Sequence, residues 1–117
     1  MAVEALSKFE RDAIAAVAAS DAQRDIVRAQ LAQATCASRD YTGVGLYTEL
    51  SVSPDAPKLN EARWKIEDMP AGHAEHPDVP EGIGLILWVK DGHISCLESY
   101  TYDGRWPDDE SLIRPVT

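Results

Sequence analysis

Apolar residues recur at helical spacing near the amino terminus and change to a period of two after Tyr41. Leu6, Phe9, Ala13, Ile14 and Val17 fall on one side of a segment running from about residue 3 to 19, with charges on the other. This predicts an amphipathic helix. Ser20, followed three residues on by Gln23, reads as a capping box for a second helix that ends near Cys36 and is lined by Ile26, Ala29, Leu31 and Ala34. Neither Gly nor Pro occurs between Met1 and Asp40, so one long helix fits the pattern equally. From Tyr41 the alternation places Val44, Leu46, Thr48, Leu50 and Val52 on the core side of a strand, with Tyr47 and Glu49 on the other. Pro54 and Pro57 close it. A second strand is predicted over 63–68, where Trp64 and Ile66 share a side, and the proline-rich stretch 70–81 reads as a loop.

The strongest local signal lies at Asp91-Gly92, which separates two runs of strand-forming residues as a two-residue hairpin turn. A regular register pairs Lys90 with His93, Val89 with Ile94, Trp88 with Ser95, Leu87 with Cys96, Ile86 with Leu97 and Leu85 with Glu98. Leu85, Leu87, Ile94, Cys96, Glu98 and Tyr100 then form the core face. Ile86, Trp88 and Leu97 form a second apolar face that needs covering. The loop 70–81, self-association into a homodimer, a ligand groove and a different protein partner are the covers that fit such a face.

Composition narrows the classes. The 117 residues suffice for a single core, and 1–117 reads as one domain with a helical segment 1–38, a sheet 41–107 and an acidic tail 108–117. The net charge is −9, and residues 41–117 carry 14 acids against 6 bases. That balance, with scattered Lys and Arg, disfavours nucleic acid and anionic membrane as partners. Charges interrupt the amino-terminal apolar run, so it reads as neither a signal peptide nor a membrane span, and a cytoplasmic location is expected. Cys36 and Cys96 read as buried free thiols.

Candidate chemistry is sparse. An inward Glu98 would be costly to ionise, which is what a general acid requires, unless it reaches solvent or pairs with Arg63 or Arg105. Tyr47, Tyr100 and Trp64 complete that candidate pocket. His73, Glu75, His76 and Asp78 have metal-ligand chemistry, but an HxxH in a loop lacks the helix that fixes HExxH geometry, so neither a metal nor any other cofactor is expected. Cys96 and His93 point to opposite sides of one strand, which excludes a Cys-His pair. The stretch around Trp106, followed by Asp108, Asp109 and Glu110, places an aromatic residue beside an acidic rim.

The segments TGVGLYTEL at 42–50, LILWVKDG at 85–92 and LESYTYDGRWP at 97–107 resemble recurring segments of small uncharacterised bacterial proteins. The resemblance covers roughly residues 40–107 and implies helices followed by an antiparallel sheet, with no catalytic residues to carry over. The expected fold is therefore α+β, with amino-terminal helices on a twisted antiparallel sheet of about four strands. The expected function is a non-catalytic interaction domain, similar to the small acidic immunity proteins that mask a basic toxin. Its contact surface would be Ile86, Trp88, Leu97, Trp106, Asp108, Asp109 and Glu110. The alternative is a small-molecule binder or minor hydrolase that uses Glu98, with the loop 69–81 closing over it.

Overall fold

The computed structural model describes residues 4–19, 23–60, 71–102 and 104–116. The first helix, α1 (Lys8–Ala18), starts about five residues later than predicted, because Ser7 and Glu10 form a reciprocal capping box. The Glu10 N–H donates to Ser7 Oγ at 3.1 Å, and the Ser7 N–H donates to Glu10 Oε1 at 2.7 Å. Two helices form, the second being α2 (Arg24–Gln33). Ser20, proposed as its cap, lies outside the described residues, as do the strand predicted over 63–68 and Trp64.

The chain leaves α2 at Ala34, which is extended, and enters β1 (Thr35–Tyr41), a strand where the sequence pattern continued the helix. TCASRDY carries little apolar signal because only part of this edge strand faces the core. Next come β2 (Gly45–Ser51), β3 (Ala71–His76), β4 (Val79–Lys90), β5 (His93–Thr101), a 3₁₀ turn (Glu110–Leu112) and β6 (Arg114–Val116). All pairings are antiparallel, in one six-stranded sheet of order β1-β2-β5-β4-β3-β6. The sheet thus has six strands rather than about four. Much of the stretch 70–81, expected as a loop, is a hairpin turning at Pro77-Asp78, and the acidic tail contributes β6. Prolines are tolerated there because Pro77 lies in the turn and Pro80 in an irregular stretch of the ladder.

Both helices lie on one face of the sheet, α1 over β3, β4 and β6, and α2 against β5. Phe9, Ile14 and Val27 meet Leu46, Ile83, Leu85, Leu87, Ile94 and Leu97 there in one buried cluster. A side chain of this size contributes roughly 1.5–3 kcal/mol when fully buried. Gln30 is buried with them and clasps the hairpin end. Its amide donates to the carbonyls of Pro57 at 2.7 Å and Gly92 at 2.9 Å, and its Oε1 accepts from the Ile94 N–H at 2.8 Å.

The β4–β5 turn is the predicted one: Asp91 and Gly92 both have positive φ, 54° and 84°, and Lys90 faces His93. The register beyond it is not. Val89 pairs with Ile94, but Trp88 pairs with Cys96, so Ser95 is an extra residue in β5. Its Oγ donates to the Trp88 carbonyl at 3.2 Å. This bulge exchanges the faces of everything that follows. Leu97, Ser99 and Thr101 turn toward the helices and are buried, whereas Cys96, Glu98 and Tyr100 turn away. The inward Glu98 and the outward Leu97 of a regular register are both corrected.

Candidate functional site

Cross-strand partners share a face, so the ladder specifies what the side of the sheet opposite the helices presents. One row runs Ser38, Glu49, Cys96, Trp88; the next runs Asp40, Tyr47, Glu98, Ile86, Ala71; a third runs Gly45, Tyr100, Gly84, His73, Val116. In these central rows Asp40, Glu49 and Glu98 are carboxylates interleaved with aromatic rings, and the bases of this side, Lys90 beside His93 and Arg114 beside Glu75, stand at its margins. The short residues of the third row make room for the long ones. A Cβ on Gly84 would fall on the Tyr100 ring. Tyr102 meets Tyr100 edge-on, with ring centroids 5.4 Å apart, and stacks on His73 at 6.0 Å.

Glu98 is the centre of this surface. Trp88 Nε1–H donates to its Oε1 at 3.0 Å, and the Tyr47 hydroxyl to its Oε2 at 3.5 Å. Among the described residues no cation lies in salt-bridge range of it, and Arg105 pairs with Asp108 instead. The Glu98 charge, followed by desolvation, raises the Tyr47 hydroxyl above its usual range. Burial, then the neighbouring Tyr102 and Glu98, does the same to Tyr100. Cys96 is pushed up to about 12 by burial and then by the charge of Glu49, which leaves it an uncharged thiol at neutral pH. Both cysteines are free and buried.

The predicted pocket residues Tyr47, Glu98 and Tyr100 thus lie side by side, on the surface rather than in the core. The predicted interaction residues separate. Ile86 and Trp88 belong to this surface, and Leu97 is fully buried beneath it on the helix side. Trp106 is also on the helix side, packed against Phe9 with centroids 6.0 Å apart and 7% exposed. Its indole N–H donates to Glu110 Oε2 at 3.0 Å, as does the Tyr41 hydroxyl, also at 3.0 Å. Asp109 caps the 3₁₀ turn through Ser111, and these hydrogen bonds hold its carboxyl below the usual range. Asp108 is exposed. Trp106, Asp108 and Glu110 line a cleft of about 560 Å³ with Tyr41 and Arg105.

A cleft of about 550 Å³ lies between the β3–β4 hairpin and the 3₁₀ turn, lined by residues that include His73, Glu75, His76, Glu81, Leu112 and Arg114. His76 is committed structurally. Its Nδ1 accepts from the Asp78 N–H at 3.0 Å, so Nε2 carries the proton given to the Asp109 carbonyl at 2.8 Å. Among the described residues no group of three or more His, Cys, Asp or Glu side chains is arranged to hold a metal ion. No described helix is long and apolar enough to cross a membrane.

Sequence patterning missed a second charged cluster, around Glu10. This carboxylate is completely buried and accepts from Arg39 Nε at 2.8 Å, Arg39 Nη2 at 2.7 Å and Thr48 Oγ1 at 2.8 Å. Arg39 Nη1 reaches Glu4 at 2.7 Å. Burial raises the Glu10 pKa, but the bonds from Arg39, Ser7 and Thr48 outweigh it and hold the group below its ordinary value. Every oxygen is occupied, so the cluster ties α1 to β1 and β2 and offers no open site. The Ser7-to-Glu10 spacing was the available signal, since a capping box fixes Glu10 at the foot of the helix.

No protein-family model, curated protein or solved structure matches this chain, and the resemblance of segments 42–50, 85–92 and 97–107 therefore carries no family assignment.

Proposed function

We propose that the chain is a non-catalytic interaction domain that docks a basic protein segment on the side of the sheet away from the helices. The observation that carries this reading is the pattern of that side: Asp40, Glu49 and Glu98 stand among Tyr47, Trp88, Tyr100 and His73 in its central rows, while its bases, Lys90 and Arg114, stand at the margins, Arg114 paired with Glu75. Aromatic anchors among carboxylates attract cationic side chains through both Coulomb and cation–π terms. A second copy of the chain fits less well, since two such faces would oppose like charges on molecules of net charge −9. A hydrolase reading needs an inward Glu98 in a closed pocket, and Glu98 instead accepts from Trp88 and Tyr47 at the surface.

The test is a titration with a short peptide alternating Lys and Arg, followed by intrinsic tryptophan fluorescence. Binding should weaken as salt is raised. Glu49→Lys should weaken it by about tenfold, because it reverses a charge on the face. Asp55→Lys makes the same change in net charge on the exposed loop after β2 and should leave binding intact. Equal effects of the two substitutions, or no binding at all, would overturn the reading.

A further inference from the structure

We infer that Glu98 seats the guanidinium group of an arginine side chain supplied by the docked segment, an inference that rests on the reading just given. A carboxylate has two oxygens with about two acceptor sites each. Here Trp88 occupies one site on Oε1 and Tyr47 one on Oε2, which leaves one open acceptor on each oxygen. Two acceptors side by side match the parallel N–H pair of a guanidinium fork. Both existing donors are neutral and no cation of the described residues lies in salt-bridge range, so none of the described residues compensates the charge of Glu98.

The surroundings favour arginine over lysine. Tyr47 precedes Glu98 across one strand pairing, Trp88 lies one row along on the other neighbouring strand, and Tyr100 follows two residues on. A planar, weakly hydrated guanidinium gains from such rings while it keeps both hydrogen bonds. A compact ammonium keeps its hydration and uses only a point charge. The Tyr47 hydroxyl, at 3.5 Å, is the weaker of the two existing bonds and can yield its place as the ligand enters.

The experiment compares three peptides of one length, alternating Gly with Arg, Lys or citrulline, against the intact protein and its Glu98→Gln variant. Gln retains an acceptor for the Trp88 N–H, so the variant keeps the local bond, and circular dichroism checks its fold. The arginine peptide should bind about tenfold more tightly than the lysine peptide, and the citrulline peptide should not bind. Glu98→Gln should cost the arginine peptide about tenfold and largely erase the preference for arginine. Equal binding of the arginine and lysine peptides, weakened by Glu49→Lys but not by Glu98→Gln, would overturn the arginine seat and leave the docking reading standing. Failure of both charged peptides to bind would overturn both.

Discussion

Glu10 is the one acidic side chain among the described residues that is completely buried. On the helix wheel it falls within the apolar stripe of α1, four residues after Leu6 and four before Ile14, and it is completely buried there under a bidentate Arg39. The cause is non-local, since Arg39 arrives from β1, a strand that the alanine-rich approach concealed. Removing one member of a buried ion pair strands the other, at about 3–5 kcal/mol. Glu10→Gln should therefore lower the unfolding free energy by about 3 kcal/mol in urea denaturation at neutral pH. The folded carboxyl titrates below its ordinary value of 4.5. Its contribution is thus complete above the unfolded-state pKa and disappears as the pH falls through the lower folded value. Glu10→Gln should flatten this part of the acid limb, and an unchanged limb would show that Glu10 is not ion-paired in solution. Ser99 makes the opposite case. Its hydroxyl is fully buried on the helix side and has no hydrogen-bond partner among the described residues, so Ser99→Ala should be neutral or stabilising by up to about 1 kcal/mol, read from the same denaturation curve.

At the scale of elements, what could be read from the chain depended on how local the determining interaction is. The Asp91-Gly92 turn and the alternation of β2 are local, and both are present as patterned except at Val44, which precedes the strand and is exposed. Strand β3 is built from Ala71, Gly72, Ala74 and polar residues, and it is a strand because β4 and β6 flank it. The three residues of β6 carry no pattern at all. The Ser95 bulge is the costliest omission, because one unpaired residue exchanges two faces and moves Glu98 from core to surface. Alternation along β5 keeps Glu98 and Tyr100 together whichever way they face, whereas Tyr47, patterned on the outward side of β2, meets them only because the bulge turns them outward. Deleting Ser95 should restore the regular register and drive Glu98 and Tyr100 inward while expelling Leu97. The variant should lose several kcal/mol of stability, beyond the cost of a single buried leucine. A deletion variant with wild-type stability in thermal denaturation would contradict the assigned bulge.

For the molecule as a whole, the arrangement is two layers, with the helices covering one face of a six-stranded sheet. Glu49 and Glu98, two of the 14 acids in residues 41–117, stand with Asp40 on the opposite face. The central claim is that this opposite face, rather than the clefts near Arg114 or Trp106, is where a basic partner binds. Amide chemical-shift mapping during titration with an arginine–glycine peptide tests it most directly. The account predicts perturbations concentrated on Tyr47, Glu49, Trp88, Glu98 and Tyr100 that weaken as salt is raised. Perturbations centred on Glu75, Glu81 and Leu112, or on Tyr41 and Glu110, with the sheet face unchanged, would contradict it.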